Sequence, residues 1–219
     1  MSVPQRDDGD PGGRQREPVF NSLPPGVLIV ALPIILAQLV SWTLPEAGRW
    51  IFEACVVAIA GPGVQLAPQP LGPYFPLIGH VLVHFGMLHI AMNLVILVSM
   101  GRTVCTSLGW GRRGTTGFIA LFVLSSIAGA VAQIVMNGGE QMLMAGASTG
   151  VSGVLVAGGW AMGGYRGMLR FALPWIGVNL LLGLLGMAWP IPVGWAAHIG
   201  GAVAGAILFP FIQAIFRDA

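Results

Sequence analysis

The 219-residue chain has a mean hydropathy of +0.81, and charged residues make up only 8% of it. This composition is too apolar for a soluble domain of that length and is typical of a membrane protein with several spans. A net charge of +2 gives no reason to expect a nucleic-acid partner, so the expected surroundings are the lipid bilayer.

The first 24 residues are rich in Pro, Gly and mixed charge, a composition that favours disorder. They lack the apolar region and cleavage site of a signal peptide. We therefore expect a disordered cytoplasmic tail over residues 1–24 and one membrane domain over residues 25–217.

Six apolar stretches approach the length of about 20 residues that a helix needs to cross a bilayer. The fold class predicted from them is all-α, a polytopic bundle of six transmembrane helices. Residues 50–61 are apolar but too short to span, and the Pro- and Gly-rich segment after them is expected at the interface. The predicted spans lie near residues 26–44, 80–101, 116–136, 146–164, 170–189 and 195–215.

The arginines predict the orientation of this bundle. With six spans both termini share one side of the membrane, and of the ten basic residues only Arg49 falls on the other side. The positive-inside rule then places both termini in the cytoplasm. We expect a multi-pass integral protein of the bacterial inner membrane.

The two cysteines, Cys55 and Cys105, fall on opposite halves of the membrane in this topology, so a disulfide between them is not expected. Their spacing does not match a zinc site either. The sequence therefore predicts no metal and no cofactor.

Ionisable residues inside spans are costly, and each is a functional hypothesis by default. The second span begins with His80, His84 and His89, and Asn93 lies one helical turn after His89. His80 and His84 are interpreted as structural or water-organising residues. His89 and Asn93 share one helix face.

Ser148 and His198 open the fourth and sixth spans. Because the second, fourth and sixth spans run in the same direction, their early residues lie at similar depth in the outer half of the bilayer. Three adjacent helices could therefore assemble a hydroxyl, an imidazole and amide donors in one cavity. A serine in a Gly-rich helix is, however, more often packing material than a nucleophile.

Glycines at four-residue spacing favour such an assembly. Gly146 and Gly150 in the fourth span, and Gly201 and Gly205 in the sixth, form small-xxx-small faces that permit short distances between helices. Short distances are required if a histidine is to act on a hydroxyl.

Three motifs together resemble the rhomboid family of intramembrane serine proteases. "GAST" at 146–149 is similar to the family's nucleophile motif, in the variant with Thr after the serine. "HFGMLHIAMN" at 84–93 matches the HxxxxHxxxN pattern of its second span, and "HIGGAVAG" at 198–205 matches the HxxGxxxG pattern of its sixth. The resemblance covers about residues 26–215.

The resemblance implies a role for each matching residue. Ser148 would be the nucleophile and His198 the general base. His89 and Asn93 would donate to the oxyanion, and His84 would shape the water-accessible cavity. Gly146, Gly201 and Gly205 would be structural residues of the same cavity. No acidic residue lies in any predicted span, so a Ser–His–Asp triad is excluded and a Ser–His dyad is expected.

The sequence departs from the family's pattern at three places. Phe75 and Pro76 stand near the position of a Trp-Arg pair in the first loop, so the anchoring of that loop is left open. "GRTVC" after the second span lacks an acidic residue. Ser152 stands where an aromatic residue usually packs on the histidine.

Ser152 is also an alternative nucleophile, because "GVSG" at 150–153 fits the short form of the motif literally. Ser148 and Ser152 lie four residues apart, on one helix face. Ser148 is preferred because it lies nearer the start of the span.

The expected function is cleavage of transmembrane segments of single-span membrane proteins, with access for the substrate beside Leu184, Met187 and Trp189 of the fifth span. The alternative is a catalytically inactive rhomboid-like protein that binds membrane helices. A third possibility is a haem-binding electron carrier with His89 and His198 as axial ligands. The substrate's identity, the cleavage-site preference and the oligomeric state are not specified by the sequence.

Overall fold

The computed structural model describes residues 23–186 and 194–218 of the chain. Most of the predicted tail lies outside the described residues, and so do Met187 and Trp189. In order, the described elements are α1 (Pro25–Thr43), α2 (Pro45–Cys55), β1 (Val57–Ile59), α3 (Pro76–Gly79), a 3₁₀ helix (His80–Leu82), α4 (Met87–Leu108), α5 (Arg112–Met136), β2 (Met142–Met144), α6 (Ser148–Gly186) and α7 (Trp195–Phe216).

The first, third and sixth predicted spans agree with α1, α5 and α7 to within a few residues. Prolines begin α1 and α2, where the missing N–H costs nothing and the fixed φ suits a helix. The apolar stretch over residues 50–61 does not span and forms the end of α2 and strand β1.

The second span begins later than the sequence predicts. Gly86 has a φ of +155°, which a residue with a side chain rarely adopts, and α4 starts only after it. His80 and His84 therefore lie before the helix, in a 3₁₀ helix and the short loop that follows it. Of the three histidines predicted to open the span, only His89 lies in α4.

The 39-residue helix α6 contains the fourth and fifth predicted spans. A straight helix of that length would measure about 58 Å, nearly twice the thickness of the hydrocarbon core. Gly163 and Gly164 have non-helical φ and ψ, and they divide α6 into a first arm (148–162) and a second arm (165–186). A Cβ added at Gly159 would lie 2.8 Å from the carbonyl oxygen of Gly167, so the arms pack against each other.

Five helices in the described part are long and apolar enough to cross a membrane when α6 is counted once. They are α1, α4, α5, α6 and α7. A mostly helical membrane fold is therefore established, and six crossings stay a prediction.

The all-α prediction missed a small antiparallel sheet. Strand β1 pairs with β2, with Val57 opposite Met144 and Ile59 opposite Met142. Three residues in each strand are too few to show an alternating pattern in the sequence. The sheet joins the chain after α2 to the segment that leads into α6, just before Ser148.

The first arm of α6 lies at the centre of the fold, packed against α4, α5 and α7. Its neighbour α7 comes close at glycines: a Cβ added at Gly205 would lie 2.7 Å from the carbonyl carbon of Gly153. Gly201 similarly faces the backbone of Thr149. Large apolar side chains on the outer helices, among them Leu36 and Val95, are exposed and suited to lipid.

Three helix ends and four arginines lie at one end of the bundle. The Asp218 carboxylate accepts a hydrogen bond of 2.8 Å from the backbone N–H of Gly111, and Arg113 donates to the carbonyl of Ile215 over 2.7 Å. The end of α4, the start of α5 and the end of α7 therefore meet here. The arginines on these segments are Arg102, Arg112, Arg113 and Arg217.

Replacing Gly205 by Ala should destabilise the protein, because the added methyl group meets the backbone of Gly153 rather than a movable side chain. Overpacking of this kind costs about 1–3 kcal/mol. Gly177→Ala is the matched control, since a Cβ at this helical glycine meets nothing within 4 Å. Thermal unfolding in detergent should show a lower Tm for Gly205→Ala only. Equal Tm values for both variants would contradict the close approach of α6 and α7.

Candidate active site

Ser148 is the first residue of α6, and the segment before it is held by hydrogen bonds from the second predicted span. The N–H of Gly146 donates to the carbonyl of His80 over 2.8 Å, and the N–H of Ala147 donates to Nε2 of His84 over 3.2 Å. Gly146 has a φ of +125° and precedes the helix, so the prediction that it forms a helical pair with Gly150 is wrong.

The structure brings Ser148 and His198 together although they are 50 residues apart in sequence. Ser148 Oγ lies 2.8 Å from His198 Nε2, and both residues are partly buried. The contact forms because each residue lies in the first turn of its helix, and α6 and α7 begin at the same end of the bundle.

The other ring nitrogen of His198 is bonded as well. Nδ1 lies 2.6 Å from Oδ1 of Asn179, on the second arm of α6. Asn179 in turn donates from Nδ2 to the carbonyl of Trp175 over 2.9 Å. The sequence interpretation did not single out Asn179 or Trp175 for this site. An amide in the middle of an apolar span is the signal that could have found Asn179.

Ser152, the alternative nucleophile, is fully buried and has its own partners. Its hydroxyl donates to the carbonyl of Ser148 over 2.6 Å and accepts from Nε1 of Trp175 over 3.0 Å. Among the described residues Ser152 forms no hydrogen bond with His198. The Trp175 ring lies 5.8 Å from the His198 ring. Trp175, on the second arm of α6, therefore packs near His198, the histidine on which an aromatic residue at position 152 would pack in the family's pattern.

His89 lies beside residues 145–149, which are called the nucleophile segment because they contain the predicted nucleophile Ser148. A Cβ added at Gly146 would lie 2.7 Å from His89 Nε2 and 3.6 Å from Ser148 Oγ, so only a glycine leaves room for this ring. Asn93 is buried one turn further along α4, where Nδ2 donates to the carbonyl of His89 over 2.9 Å. Within the described residues no hydrogen bond joins Asn93 to Ser148.

His84 links the nucleophile segment to a cavity on the side of α1 and α2. Its ring centroid lies 4.9 Å from that of His89, and its Nδ1 is buried without a partner in the described part of the chain. The cavity has a volume of about 330 Å³ and is also lined by Gln38, Ser41 and Arg49. Because Nε2 of His84 accepts from Ala147, Nδ1 carries the hydrogen of the neutral ring.

His80 anchors the first loop. Its Nδ1 donates to the carbonyl of Pro76 over 2.9 Å, and its Nε2 accepts from the Thr149 hydroxyl over 2.8 Å. Burial lowers the pKa of His80 to about 4, so the ring is neutral at pH 7 and can accept this bond. The ring of Phe75 packs on Gly79 in the same loop. The contacts of His80 and Phe75 therefore hold the first loop, in which this sequence lacks the Trp-Arg pair of the family's pattern.

The assembled groups are suited to nucleophilic chemistry. A hydroxyl lies within hydrogen-bond distance of an imidazole nitrogen, which is the geometry required for activation by a general base. The same hydroxyl lies at the start of a helix, where free backbone N–H groups and the helix dipole favour negative charge.

Thr149→Val should lower stability, because it keeps the shape of the side chain but leaves Nε2 of the buried His80 without a partner. The expected cost is about 1–3 kcal/mol, or roughly 2–12 °C in Tm. Thr116→Val is the matched control, because the Thr116 hydroxyl is exposed and bonds only to the backbone of its own helix. A Thr149→Val variant that melts with the control would show that the anchor has no energetic role.

Comparison with known proteins identifies the family of this chain. A model of the Rhomboid domain matches residues 72–214, which include α4, α5, α6 and all but the last two residues of α7. The chain is 25% identical over 199 residues to Rhomboid protein 1, mitochondrial, of Saccharomyces cerevisiae, a match that covers 86% of this chain and 54% of the relative. The chain thus spans about half the length of this curated relative. With its apolar helices and a domain match over more than half its length, this integral membrane protein belongs to the rhomboid family.

Proposed function

We propose that this protein is an intramembrane serine endopeptidase that cleaves transmembrane segments of single-span membrane proteins. The observation that carries the proposal is the distance of 2.8 Å between Ser148 Oγ and His198 Nε2. Membership of the rhomboid family supports it, because the members of that family are generally intramembrane serine proteases.

In the proposed reaction the Ser148 oxygen attacks the carbonyl carbon of the scissile peptide while its proton passes to His198 Nε2. The tetrahedral intermediate collapses, His198 gives the proton to the leaving amine, and an acyl-enzyme remains on Ser148. Water, deprotonated by the same imidazole, then attacks the acyl carbon. The bond between that carbon and Ser148 Oγ breaks, His198 returns the proton to Oγ, and the second product leaves as a carboxylic acid. The cavity beside His84, whose lining includes Gln38, Ser41 and Arg49, is the proposed route for this water.

The negative oxygen of the intermediate needs hydrogen-bond donors. We assign this role to the backbone N–H of Ser148, the His89 ring and the Asn93 amide. His89 lies next to Gly146, within the same small space as the serine hydroxyl. One donor of this kind is worth about 2.7–4 kcal/mol in other serine hydrolases. Within residues 23–186 and 194–218 the Asn93 amide bonds to the carbonyl of His89 alone, which leaves its second amide hydrogen for the oxyanion.

The arginines support a proposed orientation. Arg102, Arg112, Arg113 and Arg217 lie at one end of the bundle, whereas Arg49 lies in α2, beyond the opposite end of α1. We therefore propose that the arginine-rich end, with both termini, faces the cytoplasm. The bacterial inner membrane stays a prediction from the sequence.

The geometry disfavours a haem carrier built on His89 and His198. Both ring nitrogens of His198 have hydrogen-bond partners, Ser148 and Asn179, so an axial ligand bond would require one of them to be broken. A rhomboid protein that only binds membrane helices would not require a hydroxyl bonded to a neutral imidazole. The experiment that follows separates that alternative from the protease.

Ser148→Ala should abolish cleavage of a single-span fusion substrate in liposomes and labelling by a fluorophosphonate probe, because the nucleophile is lost. Ser152→Ala removes a hydroxyl four residues away and should retain a measurable part of both activities. His198→Ala should label about 10²–10⁴ times more slowly than the wild type, since the hydroxyl loses its base.

Three results would count against this proposal. Labelling that survives in Ser148→Ala and disappears in Ser152→Ala would move the nucleophile to Ser152. Inhibition by a chelator that zinc reverses would exclude a serine mechanism. A folded wild type that binds the substrate helix but neither cleaves it nor reacts with the probe would favour the inactive homologue.

Access for the substrate gives a further prediction. An intact helix has its backbone carbonyls bonded, so it must unwind and pass between helices to reach Ser148. Leu184, 69% exposed near the end of the second arm of α6, is placed to control this passage. Leu184→Ala should speed cleavage of membrane-embedded substrates more than of soluble peptides.

The matched control is Leu173→Ala, a side chain of the same size and similar exposure that lies three helical turns before Leu184 in the same arm. It should change neither rate. Equal acceleration of both substrate classes by Leu184→Ala would indicate access from the aqueous face instead.

A further inference from the structure

Asn179 is a buried amide in an apolar helix arm, and the reaction described above does not use it. Its side chain is 1% exposed. An amide without partners in an apolar interior costs several kcal/mol, so such a residue normally has bonds at both ends. Both ends of Asn179 are bonded, one to its own helix and one to His198.

These two bonds fix which amide atom faces the histidine. The carbonyl of Trp175 can only accept, so the atom 2.9 Å from it must be the amide nitrogen. The amide oxygen therefore faces His198 Nδ1 at 2.6 Å. An amide oxygen has no hydrogen to give, so Nδ1 must carry one.

The hydrogen on Nδ1 determines whether Nε2 of His198 can accept a proton. A neutral imidazole has one N–H, so with Nδ1 protonated the lone pair belongs to Nε2. Nε2 is the nitrogen 2.8 Å from Ser148 Oγ. Asn179 thus selects the tautomer that can accept the serine proton.

The same helix arm also holds the plane of the ring. Trp175 lies one turn before Asn179, with its ring centroid 5.8 Å from that of His198. Its own orientation is fixed by the bond of 3.0 Å from Nε1 to Ser152 Oγ. The second arm of α6 therefore contacts the imidazole through one polar and one aromatic side chain.

We propose that Asn179 is a positioning residue, which makes the catalytic unit Ser148–His198–Asn179 rather than a dyad. The proposal rests on the proposed protease function. A carboxylate in this place would bring a charge into the membrane interior, whereas a neutral amide accepts the same hydrogen bond without one. The Asn179 oxygen keeps its bond to Nδ1–H as Nε2 gains the serine proton and passes it to the leaving amine.

Asn179→Leu removes the acceptor and keeps a similar volume. Reaction with a fluorophosphonate probe should show the maximal inactivation rate falling by about 10²-fold while the probe's half-saturating concentration stays within about threefold, since only activation of the hydroxyl is lost. Asn179→Asp restores an oxygen acceptor and should react at least about tenfold faster than the Leu variant. Val178→Ala, at an exposed neighbour, is the control and should match the wild type.

A purely structural role predicts a different result: Asn179→Leu would lower Tm but leave the inactivation rate of the folded protein unchanged, and Asp would give no rescue. That result would overturn the assignment of Asn179, but the protease proposal would remain, because Ser148 would still be labelled. If the wild-type protein itself did not react with the probe, the protease proposal would be refuted instead.

A measurement without a variant at position 179 tests the tautomer directly. In ¹⁵N-histidine NMR of the wild-type protein, with the His198 signals identified by their absence in His198→Gln, Nδ1 should carry the proton and Nε2 should not. Protonation of Nε2 in the neutral ring would exclude Asn179 as an acceptor, whatever the kinetics of the variants.

Discussion

The close approach of the first arm of α6 to α7 is the constraint on which the site depends. Gly205 against Gly153, and Gly201 against Thr149, bring two backbones together where any side chain would separate them. Because each helix places its polar residue in its first turn, this packing sets the distance between Ser148 and His198. A bilayer gives apolar helices little hydrophobic reason to associate, so the fit of small residues must supply it.

A second set of interactions holds the nucleophile segment from the other side. His80 and His84 precede α4, and they bond to Gly146, Ala147 and Thr149 through their rings and one carbonyl. The strand pair β1–β2 ties the chain immediately before this segment. Ser148 is therefore positioned by a loop, a sheet and two helices, an arrangement in which rigid surroundings hold a reactive group in place.

Much of this could be predicted from the sequence, because hydropathy and spacing are local properties. They locate most of the apolar helices, and they place Ser148, His89 and His198 on helices that the structure contains. Three features depend instead on which helix faces pack together, and a local sequence pattern cannot predict this packing. They are the bond between His198 and Asn179, the packing of Trp175 and the anchoring by His80. The late start of α4 was missed because Gly86 interrupts an apolar run that hydropathy reads as continuous. The sheet was missed because its strands are only three residues long.

The order of the helices along the chain has a consequence during synthesis. His198 lies on α7, which follows α6 in the chain, so a growing chain that already contains Ser148 and Asn179 but not α7 has a hydroxyl without a base. In the proposed mechanism it cannot cut neighbouring nascent proteins in the insertion machinery while it is incomplete. If the proposed mechanism holds, activity requires that α7 packs against α6, and a truncated product that lacks this helix has no general base. Completion of the fold would then serve the purpose that removal of a propeptide serves in many soluble proteases.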